Sequence, residues 1–230
     1  MILVGIGCSF TQGAGLAADP LQSYEYNTPY REKNCWVGQL ADKLGQGYIN
    51  LGDGGAGNFA IGQNFARFIN YDLHMCDEPI MVCVGWTQVD RMSWWDEEAH
   101  CWAHSGWWNE QGIIPWKGLA GRANKFENSR KEWLLHSQGG EGDGNQALTD
   151  SAKLLVNSVC ESKNIPLLQF NALGDHHTYH DYKNYYLPDT NVQDYLKPDQ
   201  IIPNDLHPNE LGHSDIASRL YNFINECKIL

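Results

Sequence analysis

Met1-Ile2-Leu3-Val4-Gly5-Ile6-Gly7-Cys8-Ser9-Phe10-Thr11-Gln12-Gly13 is the stretch on which the fold turns. Ile2 to Ile6 is a short apolar run that gives way at once to glycine and small polar residues. A strand buried on both faces of a parallel sheet, stopping at a loop, reads this way. The pattern recurs in Tyr48-Ile49-Asn50-Leu51 before Gly52, in Ile80-Met81-Val82-Cys83-Val84 before Gly85, and in Pro166-Leu167-Leu168-Gln169-Phe170 before Asn171. Between these runs, apolar residues fall at helical spacing: Val37, Leu40, Ala41 and Leu44; Ile61, Phe65, Phe68 and Ile69; Leu148, Ala152, Leu155 and Val159; Ile216, Leu220 and Phe223.

Strands alternating with helices imply a parallel α/β sheet, because parallel strands need crossovers and the crossover is normally a right-handed helix. Ligands of such sheets bind outside the carboxyl ends of the strands. That directs attention to residues 7–15, 52–58, 85–91 and 171–208. A long segment at about 91–140, rich in Trp, Gly and polar residues, interrupts the alternation as an insertion, with one helix expected around 123–135. Residues 139–144, Gly-Gly-Glu-Gly-Asp-Gly, are expected to form a mobile loop.

The 230 residues fit one domain, with 42% hydrophobic and 19% charged residues. The net charge of −12 opposes a nucleic-acid surface and favours a neutral substrate over an anionic polymer. No apolar run of about 18 residues exists to cross a membrane. The opening residues lack the positive start of a signal peptide, so a cytoplasmic protein is expected. Seven cysteines, an odd number without a CxxC pair, suggest neither a disulfide framework nor a thiolate zinc site. Of nine tryptophans, seven (Trp86, Trp94, Trp95, Trp102, Trp107, Trp108 and Trp116) crowd into a single stretch of about thirty residues that runs from the third strand's end into the insertion. Core packing, a glycan-stacking platform and a partner surface are all open to them.

Ser9 stands at the carboxyl end of the first strand, where its hydroxyl can face the cleft. A serine there also suits a turn or a helix cap. Near the other end, Pro203-Asn204-Asp205-Leu206-His207-Pro208 places an acid beside a histidine in a loop before the last helix. A serine nucleophile needs a base to take its proton, and the base needs a partner that fixes its tautomer. Asp175-His176-His177-Thr178-Tyr179-His180 has metal-ligand residue types at no common ligand spacing and reads foremost as a solvated loop. His213, one turn into the last helix, reads as structural.

Three blocks together, Gly7-Cys8-Ser9-Phe10-Thr11-Gln12-Gly13, Asn50-Leu51-Gly52-Asp53-Gly54-Gly55-Ala56-Gly57-Asn58 and the Asp205/His207-Pro208 segment, resemble the SGNH (GDSL-like) hydrolase family. The resemblance implies a flavodoxin-like three-layer α/β/α fold and a cofactor-free serine esterase acting on esters of small molecules or glycans. It makes Ser9 the nucleophile, His207 the base, and the backbone N–H of Gly55 an oxyanion donor. In the third block, where the family has GxND, this chain has Gly85-Trp86-Thr87-Gln88-Val89-Asp90-Arg91, so Thr87 holds the donor's place. Gln88 or Arg91 could substitute, and Trp86 begins the expected wall of the site. In the last block Asn204 stands where the family has its acid, leaving Asp205 or Asn204 to orient His207. These departures keep two alternatives open: a weak or inactive glycan- or protein-binding module, and an O-acyltransferase.

Overall fold

The computed structural model describes residues 1–89, 91–96, 101–105, 143–174, 185–186, 192–203 and 205–230. The main sheet contains β1 (Ile2–Gly7), β2 (Gly47–Gly52), β3 (Ile80–Trp86), β6 (Leu167–Asn171) and the two-residue β7 (Tyr185–Tyr186). All neighbours are parallel, in the order β2-β1-β3-β6-β7. This is the flavodoxin-like order, with a switch point where the chain passes from β2 back across β1 to β3. The four strands expected from sequence are present, each running one or two residues further at its carboxyl end. β7 is too short to leave a periodic signal.

Alternation sorts the strand side chains into two layers. Leu3, Met81, Cys83, Leu168 and Phe170 face the layer of α3 (Trp36–Leu44) and α6 (Glu210–Cys227). Val4, Ile6, Val82, Val84 and Leu167 face α4 (Asn58–Arg67) and α5 (Asp143–Lys163). Gly5 lets α3 press onto β1: a Cβ there would lie 2.4 Å from Val37 Cγ2. Two short helices, α1 (Ser9–Gln12) and α2 (Thr28–Asn34), precede these and have too few turns to show periodicity.

α5 differs from expectation in its rotation. Its buried stripe is Thr149, Ala152, Lys153, Val156 and Cys160, whereas Leu148 is 43% exposed. Leu148, Ala152, Leu155 and Val159 satisfy helical spacing, yet the close approach of α4 selects a neighbouring face. A Cβ on Gly62 would lie 2.8 Å from the Ala152 Cβ, so small residues, not the bulkiest, meet there.

The start of the insertion is an antiparallel hairpin of β4 (Met92–Asp96) and β5 (Cys101–Ser105), with Trp95 opposite Trp102. The expected helix at 123–135, residues 139–142 of the expected glycine loop, Asn204 and the 175–180 His cluster lie outside the described residues, while Asp143 and Gly144, expected in that loop, instead begin α5. The free cysteines among the described residues include buried Cys8, Cys35, Cys83 and Cys160. Burial pushes the Cys160 thiol up to about 12, consistent with small hydrophobic residues. No described helix is long and apolar enough to cross a membrane.

Candidate active site

Gly7, Gly52 and Gly85 lie in register, ending β1 and β2 and standing one residue before the end of β3, so the loops after these strands leave the sheet side by side. Ser9 is the first residue of α1, and Gly13, at φ +79°, stops that helix. The first N–H groups of a helix have no partner within it, which leaves the Ser9 N–H able to meet a ligand. The block-two loop is tied to the same place, since Asp53 N–H donates to the Gly7 carbonyl at 2.9 Å. Gly55 then turns with φ +84°, a conformation that favours glycine.

The far end of the chain reaches this edge through a tight loop. Ile202 N–H donates to the His207 carbonyl at 2.8 Å, and Leu206 takes the left-handed conformation at φ +61°. Asn209 caps α6, its Oδ1 accepting from Gly212 N–H at 3.1 Å, and its Nδ2 donates to the Asp199 carbonyl at 2.7 Å. The loop brings His207 Nδ1 to 2.9 Å from Asp205 Oδ1. A carboxylate only accepts, so this contact suits the imidazole tautomer with its proton on Nδ1, in which Nε2 keeps its lone pair.

Two contacts set this pair against the α1 turn. The imidazole of His207 lies 5.6 Å from the ring of Phe10, the residue after Ser9. A Cβ on Gly15 would stand 2.7 Å from Asp205 Oδ2, so the chain leaving α1 runs directly beneath the acid. The segments holding Ser9, Asp205 and His207, separated by almost the whole chain, are thus neighbours.

The third-block residues divide. Thr87 is fully buried, and its hydroxyl has no partner among the described residues. Gln88 packs against Gly174 with its Oε1 buried, and Arg91 is buried with its N–H donating to the Gln88 carbonyl at 3.3 Å. Trp86, expected in the wall of the site, is instead turned into the core. Its side chain is 0% exposed and its Nε1–H donates to Gln169 Oε1 at 3.0 Å. Alternation decides this: Val82, Val84 and Trp86 share one strand face, and that face packs beneath α4 and α5.

No protein-family model matches the chain, and no curated protein does. Solved structures do match. One is a carbohydrate esterase family 2 enzyme plus carbohydrate-binding domain from Corynascus thermopiles (Myceliophthora fergusii), 13% identical, covering 99% of this chain and 66% of that one at a TM-score of 0.54. Another is a family two carbohydrate esterase from Clostridium thermocellum in complex with cellohexaose, 13% identical, covering 100% and 65% at 0.52. A third is an acetyl xylan esterase from Butyrivibrio proteoclasticus, 12% identical, covering 100% and 64% at 0.52. The chain shares their fold. It spans about two thirds of the length of each.

Within this fold, several polar side chains hold the sheet's carboxyl edge together without having stood out in the sequence. Asn50 Nδ2 donates to the Thr11 carbonyl at 2.9 Å while its Oδ1 accepts from Gly52 N–H at 2.9 Å, joining the first and second loops. Gln169 links Trp86 to Asn157, donating from Nε2 to Asn157 Oδ1 at 3.1 Å. Burial lowers the Lys153 ammonium to about 8, Asp150 opposing the shift, and its Nζ stands 5.9 Å from the Trp86 ring centroid. His213 fits its structural reading: it is fully buried, and its Nδ1 accepts from Trp36 N–H at 3.1 Å. Burial, with a smaller contribution from His207, lowers His213 to about 3, so it stays neutral.

Proposed function

We propose that this protein is a serine ester hydrolase, with Ser9 as nucleophile, His207 as base and Asp205 as the group that orients the base. The observation that carries this reading is the Asp205–His207 pair, 2.9 Å apart and packed through the imidazole against the turn that bears Ser9. An imidazole held by a carboxylate at Nδ1 presents Nε2 as an acceptor, which is what a serine hydroxyl requires.

Ser9 Oγ attacks the ester carbonyl carbon as its proton passes to His207 Nε2. Negative charge gathers on the former carbonyl oxygen, where the N–H groups of Ser9 and Gly55 donate. Thr87 is the proposed third donor, its buried hydroxyl being without a protein partner among the described residues. Gln88 and Arg91 belong to the same third-block loop and are proposed to shape that side of the cleft. The C–O bond to the alcohol then breaks, and His207 returns its proton to the leaving oxygen. Water attacks the acyl-enzyme by the same route, releasing the acid and restoring Ser9. No cofactor enters these steps.

Asp205 is preferred over Asn204 because its carboxylate compensates the imidazolium charge that forms at each transfer, which a neutral amide does not. Acyl esters of neutral glycans are the proposed substrates. The net charge of −12 disfavours anionic polymers, and the printed descriptions of the fold's neighbours include carbohydrate and acetyl xylan esterases. A fluorophosphonate probe tests the assignment. Covalent labelling at Ser9, with turnover of p-nitrophenyl acetate, is expected; a wild-type protein that is neither labelled nor active overturns it.

A further inference from the structure

We propose that Asn58 is a positioning residue for this reaction, an amide clamp that holds the Gly55 turn against Thr87 so that the oxyanion donors of two separate loops keep a fixed spacing. The inference rests on the ester-hydrolase reading above. Asn58 is the first residue of α4, three positions after Gly55, and its side chain is 2% exposed. Its Oδ1 accepts from the Thr87 N–H at 2.8 Å, and its Nδ2 donates to the Thr87 carbonyl at 2.9 Å. One side chain therefore satisfies both main-chain groups of one residue on another loop, as a neighbouring strand would. Nδ2 also reaches Thr149 Oγ1 at 3.2 Å, drawing α5 into the same cluster.

Only a primary amide of this length does this. Aspartate keeps the acceptor but sets a carboxylate against the Thr87 carbonyl, and serine is too short to reach both groups. The clamp has a companion one residue earlier. Gly57 N–H donates to Ser93 Oγ at 2.8 Å, and a Cβ on Gly57 would stand 2.4 Å from the Arg91 carbonyl oxygen. The second loop is thus seated on the chain leaving β3 at two consecutive positions. Oxyanion stabilisation depends on donors fixed before the charge appears, so a clamp that joins their loops acts on the transition state more than on the ground state.

The experiment compares wild type, Asn58→Asp and Asn58→Ser in fluorophosphonate labelling rate and in kcat and KM for p-nitrophenyl acetate. All are measured well below each protein's melting temperature. Labelling rate and kcat are expected to fall roughly tenfold to a hundredfold, with KM within about twofold of wild type. A purely structural asparagine would lower the melting temperature and leave the folded protein's kcat alone. Wild-type labelling rate in either folded Asn58 variant overturns the clamp while leaving the hydrolase reading intact. Should neither variant fold, Thr149→Val decides: it removes one acceptor of Nδ2 and is expected to slow labelling about twofold or more, and an unchanged rate overturns the clamp. Absence of labelling in wild type overturns the hydrolase reading itself.

Discussion

Two polar clusters flank the end of β1 and differ in how they meet water. The side chains of Asp205 and His207 are 45% and 21% exposed, and their mutual bond is the polar contact that joins them. Asn58 and Thr87, on the opposite side, are 2% and 0% exposed and joined by two bonds, with a third to Thr149. Groups that must pick up and release a proton need access to substrate and to water. Groups that only hold a loop gain from a dry site, where a satisfied polar network is rigid and a broken one is costly. The open cluster therefore suits proton transfer, and the closed one suits holding a donor in a fixed place.

The strongest way to break this contrast is at its reactive end. Ser9→Ala is expected to abolish probe labelling and lower kcat by about a million-fold; activity that survives would move the chemistry elsewhere. Next in size, Trp86→Ala removes a fully buried side chain and the indole N–H that donates to Gln169, so urea unfolding should report a loss of about 3–5 kcal/mol. A normal unfolding curve with a raised KM would instead return Trp86 to the wall of the cleft. Asp205→Ala should lower kcat roughly tenfold to a hundredfold at unchanged melting temperature, because a half-exposed carboxylate acts through water-screened charge.

The smallest effect concerns His213, whose folded-state value of about 3 lies below the ordinary 6.5. As pH falls through 6.5 the unfolded chain takes up a proton that the buried imidazole refuses, so stability present above 6.5 drains away toward pH 3. The slope from this one group is at most about 1.4 kcal/mol per pH unit. His213→Asn keeps an acceptor for Trp36 N–H and removes the titration, so unfolding free energies measured from pH 7 to pH 4 should fall less steeply than in wild type. Identical slopes would mean that the buried site around His213 tolerates charge.

Much of the fold is legible in local pattern. Ile2 to Ile6 and Ile80 to Val84 are apolar throughout because both sheet faces are covered, and each is followed by a glycine, still within the strand, at which a Cβ would crowd Thr11. The candidate Ser9, Gly55, Asp205 and His207 positions are legible through motif resemblance. Trp86 and α5 show where local pattern fails. A tryptophan at a strand end reads the same whether it faces a cleft or a core, and two adjacent faces of α5 satisfy helical spacing equally well. Only the helix that packs against them, with Gly62 set against Ala152, chooses.

By itself, then, the sequence determined the alternation of strands and helices, the parallel sheet and the residue types gathered at its carboxyl edge. These follow from periodicity and turn chemistry, which act over a few residues. The tertiary structure alone decided that the Asp205–His207 loop lies beside the α1 turn, that Trp86 points inward, and that Asn58 grips Thr87 across 29 positions of chain. Such pairings carry no local signature, because an amide or an indole finds its partner only after the apolar layers have brought distant segments together.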